Sequence, residues 1–296
     1  MPVTIYASTD ASAPVLTGQA GSLIALLDAC LVDGYGAKAA LGWTKPFTGD
    51  NLAAYLQPNA TSRAYYRVDD NTTTSARVVG YETMSDVDTG TGPFPTDAQL
   101  SGGGFILKSN TADAVARPWY LIGNDSTFYF LVDHTTTNKH HLFSLGNIVS
   151  YKSADAYAFS ISVSISAFGD DGKKITTGLG SATAGNWFAR SHTQLGTAIT
   201  CSKGTDARQA ASATSMGANG LVYPNPADNG LYLAPINVHE TTSVARGYWP
   251  GIWNPCHNNP AANNDTFSGA GTLAGKTFII KKLDGGTVVF ETSNTW

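Results

Sequence analysis

The chain has 296 residues and a formal net charge of -4, and only 14% of its residues are charged, against roughly 25% in an ordinary soluble domain. This length allows one large β domain or two modest ones, and the frequent Gly, Ser, Thr and Asn residues are typical of strands, turns and loops. No basic run and no stretch of about 18 apolar residues occurs, which argues against nucleic acid and membranes as partners.

The N-terminal residues and the cysteines bear on where the chain is made. Residues 1–4 lack the basic and apolar regions of a secretion signal, so we expect synthesis in a cytoplasm without classical export. Cys30, Cys201 and Cys256 are odd in number and widely spaced. No disulfide framework follows from that spacing, and we expect free thiols.

Near the N-terminus, apolar residues at helical spacing predict one amphipathic helix over residues 22–33. Ser22 is predicted to cap its start and Gly34 its end. A helix this short is marginal in water by itself, so its apolar stripe should pack against a sheet. The stripe consists of Leu23, Leu26, Leu27, Cys30 and Leu31.

The other segments predict strands. In Phe159–Ser166, apolar residues alternate with serines, which predicts one buried face and one small polar face open to solvent or to another subunit. Tight hairpins are predicted across residues 123–126 and across Asp284-Gly285-Gly286, which favours a type I′ turn. The remaining predicted strands are Val3–Ala7, Arg63–Asp69, Ala76–Thr83, Trp119–Ile122, Thr127–Val132, Thr277–Leu283 and Thr287–Thr292.

Together these elements predict a mainly β fold of antiparallel sheets, sandwich or barrel-like, with the single helix packed on a sheet. We expect an N-terminal β-rich domain at residues 1–168 and a C-terminal β-rich region at residues 169–296, with one continuous domain as the alternative. Two stretches rich in Gly, Ala, Ser and Thr, Gly169–Gly185 and Ser202–Gly220, are interpreted as interdomain linkers or as long surface loops.

No local motif predicts a catalytic residue, a cofactor site or a metal site. Gly271–Thr277 resembles the end of a phosphate-binding loop, but that motif's first glycine is absent and a strand rather than a helix should follow. Residues 88–90, Asp-Thr-Gly, match half of an aspartic protease site, and no second copy exists. His134, His140 and His141 are close in sequence, but adjacent histidines on a strand face opposite sides.

Tyr248, Trp249 and Trp253 are the best candidates for a binding surface. Exposed aromatic residues could form a platform for glycan, although core or interface positions are the commoner use of such side chains. A glycosidase needs only two facing carboxylates, and the 22 acidic residues leave an unmarked pair open.

Seven strings along the chain resemble a family of virion structural proteins of tailed bacteriophages and prophages. The likeness spans almost the whole chain and implies membership of the particle, without assigning a function to any residue. The strings are Gly21–Gly36 (GSLIALLDACLVDGYG), Gly42–Gly49 (GWTKPFTG), Gly80–Thr96 (GYETMSDVDTGTGPFPT), Arg117–Val132 (RPWYLIGNDSTFYFLV), Arg246–His257 (RGYWPGIWNPCH), Asp265–Gly269 (DTFSG) and residues 291–296 (ETSNTW).

The composition and this resemblance predict a noncatalytic structural component of a tailed bacteriophage virion, assembled in the host bacterial cytoplasm. Its expected partners are copies of itself and other virion proteins, with a tail or neck accessory position slightly favoured over capsid decoration. One alternative is a host-attachment module that binds cell-surface glycan. A second alternative is an enzyme that degrades surface polysaccharide.

Overall fold

The structure, a computed structural model, describes residues 2–58, 62–134, 140–164, 185–204, 222–241, 244–257, 261–283, 286–293 and 296. In these ranges the first ten strands are β1 (Thr4–Ala7), β2 (Thr44–Gly49), β3 (Leu52–Leu56), β4 (Tyr65–Asp69), β5 (Ser75–Tyr81), β6 (Thr83–Asp86), β7 (Thr89–Thr91), β8 (Gly104–Leu107), β9 (Trp119–Gly123) and β10 (Thr127–Val132). The next ten are β11 (His141–Asn147), β12 (Val149–Ser150), β13 (Phe159–Val163), β14 (Gly185–Phe188), β15 (Ile199–Gly204), β16 (Leu233–Thr241), β17 (Val244–Pro255), β18 (Thr266–Ser268), β19 (Thr277–Leu283) and β20 (Gly286–Glu291).

The described strands pair into three antiparallel sheets. The large sheet has thirteen strands in the order β1-β9-β10-β11-β13-β14-β15-β16-β17-β20-β19-β18, with β12 beside β17. The others are β2-β3-β4-β5-β8 and β6-β7. The predicted mainly β, antiparallel fold is confirmed, but within the described residues the large sheet does not close into a barrel, because its path ends at two separate strands. It contains strands from both predicted regions, since β13 pairs with β14.

The middle strands of the large sheet are buried on both faces. On one face, Phe130 and Phe143 join a core cluster that includes the helix leucines and inner residues of the five-stranded sheet. On the other face, Tyr129 and Leu131 join a second cluster with side chains of the C-terminal strands. The rings of Tyr129 and Phe290 lie 5.2 Å apart. The C-terminal strands therefore cover the face opposite to the helix.

This layering corrects the prediction for β13. Phe159, Ile161 and Val163 lie in the first core cluster, as their alternation predicted. However, Ser160 and Ser162 are 1% and 0% exposed, because the face that they share is covered by other parts of the same chain. The predicted solvent-open serine face was therefore wrong, and residues 165 and 166 lie outside the described ranges.

The predicted helix is confirmed as an α-helix, α1 (Ser22–Leu27), that continues into a π-helical turn at Asp28–Asp33. Its apolar stripe is completely buried in the first core cluster. The Tyr55 hydroxyl of β3 donates to the Asp28 carboxylate across 2.9 Å, which ties the helix to the five-stranded sheet. No helix in the described ranges combines the length and the apolar character needed to cross a bilayer.

The two ends of this helix were predicted with different success. The cap at Ser22 was wrong, since Ser22 is already helical and its hydroxyl donates to carbonyl oxygens of the preceding loop. Instead, Asp70 Oδ2 accepts the backbone N–H groups of Leu23 (2.8 Å) and Ile24 (3.3 Å). Gly34 ends the helix as predicted, with a φ of 80° that favours glycine.

Most predicted strands are found with slightly shifted ends. β10 matches its predicted bounds, and β9 and β10 form the predicted hairpin. The prediction of a linker or loop at Ser202–Gly220 was wrong at its start, because residues 202–204 belong to β15. The rest of that stretch, nearly all of the stretch from residue 169, and the turn residues 284 and 285 lie outside the described ranges.

The three cysteines are buried free thiols, as predicted. Burial raises the pKa of Cys201 to about 12, which keeps this thiol protonated at neutral pH. A protonated, buried thiol is a poor nucleophile, so Cys201 acts as a small apolar core residue.

A glycine in β17 supports a close contact with the C-terminal residue. Gly251 has a φ of +66°, and a Cβ at this position would lie 2.0 Å from a ring atom of Trp296. We expect Gly251→Ala to lower the unfolding free energy by about 2–4 kcal/mol, from backbone strain and overpacking together. Urea denaturation measures this loss. The matched control is Gly271→Ala, where φ is +58° and nothing lies within 4 Å, and there a loss of about 1–2 kcal/mol is expected. Equal losses would contradict the proposed contact.

Candidate functional site

An aromatic cleft opens beside the start of β16 and the end of β18. Its volume is about 620 Å³, and it lies among residues that are far apart in sequence. Apolar and aromatic side chains form most of its wall, and the remaining lining is glycine-rich backbone, one carboxylate, and the polar residues Asn229, Ser268 and Thr272. The principal side chains of the wall are Tyr223, Asp228, Tyr232, Leu233, Phe267 and Phe278.

His257 fixes the segment that carries the two tyrosines of this cleft. Its Nε2 accepts the backbone N–H of Tyr232 (2.8 Å), and its Nδ1 lies 3.0 Å from the carbonyl oxygen of Val222. Since Nε2 accepts, Nδ1 carries the proton and donates. The imidazole also stacks on the Tyr232 ring, with centroids 5.9 Å apart and planes at 18°. The buried histidine therefore anchors both ends of residues 222–232.

Asp228 is the charged group of the cleft. Its Oδ1 accepts from the Asn225 amide (2.5 Å) and the Gly230 N–H (2.9 Å), while its Oδ2 accepts from the Tyr232 hydroxyl (2.5 Å). The Tyr232 hydrogen bond, followed by those of Gly230 and Asn225, lowers the pKa of Asp228. At neutral pH this group is therefore an ionised acceptor held at one place.

The three predicted aromatic residues do not form one surface. Trp249 is buried in the second core cluster. Trp253 is partly buried and packs against a third core cluster of Phe278, Ile280 and Val289. Tyr248 is half-buried, and its ring lies 6.1 Å from that of the exposed Tyr151. The three side chains therefore do not form a single glycan platform, because Trp249 is buried whereas Tyr248 and Trp253 are partly exposed in different surroundings.

No protein-family model matches the chain, and no curated protein sequence matches it. The resemblance to phage virion proteins therefore stays a prediction, which rests on the sequence strings alone. The chemistry open to each candidate site depends on the geometry of its own described residues.

The motifs considered for catalysis occupy structural positions. Gly271–Leu273 is a short 3-10 helix, and Thr277 begins β19, so this segment has the strand that was predicted instead of a phosphate-binding helix. Asp88 lies in the β6–β7 turn, where its 65% exposed side chain pairs with Arg67 at 2.6 Å. Among the described residues that line the aromatic cleft, Asp228 is the one carboxylate, whereas a glycosidase needs two.

The histidines predicted to be poor metal ligands are buried and contact different neighbours. The rings of His134 and His141 lie 4.2 Å apart, whereas the ring of His140 packs on Tyr120 at 5.5 Å. In the described part of the chain, no group of three histidine, cysteine or acidic side chains is placed to hold a metal ion.

Lys281 is a completely buried amine on β19. Its Nζ donates to Asn264 Oδ1 (2.6 Å) and lies 3.0 Å from the centroid of the Tyr120 ring. Burial lowers the pKa of Lys281 to about 7. Such an amine can act as a base or a nucleophile when substrate reaches it. In this chain the side chain is 0% exposed, and its surroundings are those of the core.

A buried charge network around Arg246 joins segments that are distant in sequence. Arg246 Nη1 donates to Glu240 Oε1 (2.9 Å), and Arg246 Nη2 lies 3.3 Å from Asp155 Oδ2. The guanidinium also lies over the ring of Phe188, with Cζ 4.3 Å from the centroid. Glu240 accepts a further contact from His192 Nδ1 at 2.6 Å. This network fixes β14, β16 and β17 relative to one another.

Proposed function

We propose that this chain is a noncatalytic structural subunit of a tailed bacteriophage virion, assembled in the host bacterial cytoplasm. It acts through contacts with copies of itself and with other virion proteins, at a tail or neck position in preference to capsid decoration. Support comes from the seven sequence strings that resemble this family and from the charge-poor, mainly β chain. The proposal assigns no catalytic residue, cofactor or metal.

We infer that the finer arrangement is sandwich-like. The helix and the five-stranded sheet contribute to the core on one face of the large sheet, and the C-terminal strands contribute to the core on the other. Buried cores on both faces of the large sheet suit a protein that must persist outside a cell without repair or replacement.

One observation supports the proposed mode of contact most directly. Val149, Tyr151 and Tyr248 form a surface, named the tyrosine patch, in which Val149 is 38% and Tyr151 58% exposed. The Tyr151 hydroxyl donates to Asn237 Oδ1 (2.9 Å), which fixes the position of its ring on the surface. Tyrosines are enriched in subunit interfaces, since a large ring is buried there at a small cost in side-chain entropy. The tyrosine patch is therefore the proposed contact with a neighbouring copy.

The mass of the purified chain in solution tests this contact. We expect a homo-oligomer. We expect Tyr151→Glu to weaken its association constant at least tenfold, because a charge would be buried in the interface, so that the measured mass falls toward that of the smaller species at a fixed protein concentration. Val115→Glu is the matched control, because Val115 is 55% exposed away from the tyrosine patch. A monomer at all concentrations, or the same mass for Tyr151→Glu and wild type, would count against the proposal.

A further inference from the structure

We propose that the aromatic cleft is a binding site for a neutral saccharide. This inference goes beyond the proposed structural role, and it concerns a different surface from the tyrosine patch. The cleft holds two tyrosines that stay exposed although they lie in a concave site, with Tyr223 at 43% and Tyr232 at 45%. Its volume of about 620 Å³ lies within the usual range for small-molecule sites, roughly 300–1,000 Å³.

The tyrosine rings are held in place before any ligand arrives. Tyr232 is fixed through its backbone N–H and its ring by His257, and through its hydroxyl by Asp228. Tyr223 packs edge-on against the same imidazole, with centroids 5.8 Å apart and planes at 82°. A site that is already ordered loses little entropy on binding. These rings therefore provide flat, rigid surfaces for a ligand of matching shape.

A pyranose ring matches this site in two respects. One of its faces presents C–H groups, which pack on an aromatic ring through dispersion and apolar contact. Its edge presents hydroxyl donors. Asp228 Oδ2 accepts one bond from Tyr232, and a carboxylate oxygen has room for a second donor, so a sugar hydroxyl can be bound there.

The charge of the cleft restricts the saccharide. Asp228 is ionised at neutral pH, as its lowered pKa indicates, and no lysine, arginine or histidine belongs to the described residues that line the cleft. An anionic sugar would be repelled by Asp228 without gaining a positive partner from this lining. A quaternary ammonium ion could use the same rings, but it would fill only a small part of the volume. A neutral saccharide of about two rings uses both the aromatic wall and the acceptor.

Titration of the full chain with maltose, cellobiose, N,N′-diacetylchitobiose and lactose tests this proposal, with sialyllactose and choline as contrasting probes. Saturation-transfer NMR and calorimetry report binding. We expect at least one neutral disaccharide to bind, Tyr232→Ala to weaken it at least tenfold, and Asp228→Asn to weaken it several-fold. Leu195→Ala is the matched control, because it removes an exposed apolar side chain (73% exposed) outside both the cleft and the tyrosine patch and should leave binding unchanged.

Thermal unfolding of each variant shows whether the fold is kept, and Tyr232→Phe provides a variant that retains the ring. We expect Tyr232→Phe to retain most of the binding. Absence of binding by all four neutral disaccharides would overturn the proposal. So would preferential binding of sialyllactose or choline, or equal losses in Tyr232→Ala and Leu195→Ala. None of these results depends on whether the chain belongs to a virion, so the two proposals can fail separately.

Discussion

Lys108→Met is expected to lower the unfolding free energy by about 3–5 kcal/mol. The side chains of Lys108 and Asp70 are both 0% exposed and form an ion pair. Lys108 Nζ also donates to the carbonyl oxygens of Gln19 (2.8 Å) and Thr72 (3.0 Å). Methionine fills a similar volume, but it leaves the carboxylate that caps α1 buried without a counterion. Urea denaturation followed by circular dichroism measures the loss.

A pH series and a matched control show whether the buried charge is the cause. Burial raises the pKa of Asp70 and lowers that of Lys108. The deficit of Lys108→Met should therefore shrink as the pH falls, because a protonated Asp70 needs no counterion. Lys45→Met breaks a 2.6 Å pair with Asp28 whose side chains are 26% and 20% exposed, and it should cost about 1 kcal/mol or less. Equal costs for the two variants would contradict this explanation.

Arg246→Met is expected to have a comparable effect, a loss of about 3–5 kcal/mol. The substitution leaves Asp155 and Glu240 without their guanidinium, and these side chains are only 1% and 6% exposed. It also removes the donors to the carbonyl oxygens of Arg190 and Tyr157, both at 2.5 Å. Because the network joins strands from separate parts of the large sheet, differential scanning calorimetry should show a lower Tm for the whole transition.

Arg77→Met is the matched control for that experiment. Arg77 also lies over a phenylalanine ring, Phe105, at 4.3 Å, but it is less buried and its guanidinium donates to the carbonyl oxygen of Ser101 (2.6 Å). Arg77→Met therefore removes an arginine from an aromatic face but leaves no buried carboxylate without its counterion. We expect a cost of about 1 kcal/mol. A loss for Arg246→Met no larger than this would show that its buried ion pairs contribute little.

The sequence predicted those parts of the fold whose side chains alternate between two environments. The helix was found because its leucines repeat at helical spacing, and β10 was found between clear turn signals. β11 was missed because both of its faces are buried, so that its residues show no alternation. The serine face of β13 was wrongly predicted to be open for the same reason, since other parts of the chain cover a face whose composition is polar.

The features that depend on distant contacts could not be predicted. The capping residue of α1, Asp70, lies 47 residues from Leu23, and Ser22 satisfied the local rule equally well. The aromatic cleft combines residues 223–233 with residues 267–278, and no pattern in either segment indicates the other. One signal was present in the sequence. Tyr223 and Tyr232 flank a turn segment rich in Pro, Asn, Asp and Gly, and burial in a strand does not explain aromatic residues at such positions.

The proposed subunit contact at the tyrosine patch and the proposed saccharide site in the aromatic cleft use two separate surfaces. The tyrosine patch lies on β12 and β17, whereas the cleft is formed by residues near β16, β18 and β19. A subunit held to its neighbour through the first surface can keep the second one open. Self-assembly and saccharide binding are therefore compatible in one molecule.

A reconstruction of the purified phage particle, combined with its protein composition by mass spectrometry, tests the proposed function most directly. We expect density for this chain in several symmetry-related copies, with the tyrosine patch covered by an adjacent subunit. A complete particle that contains no copy of this chain would contradict the account.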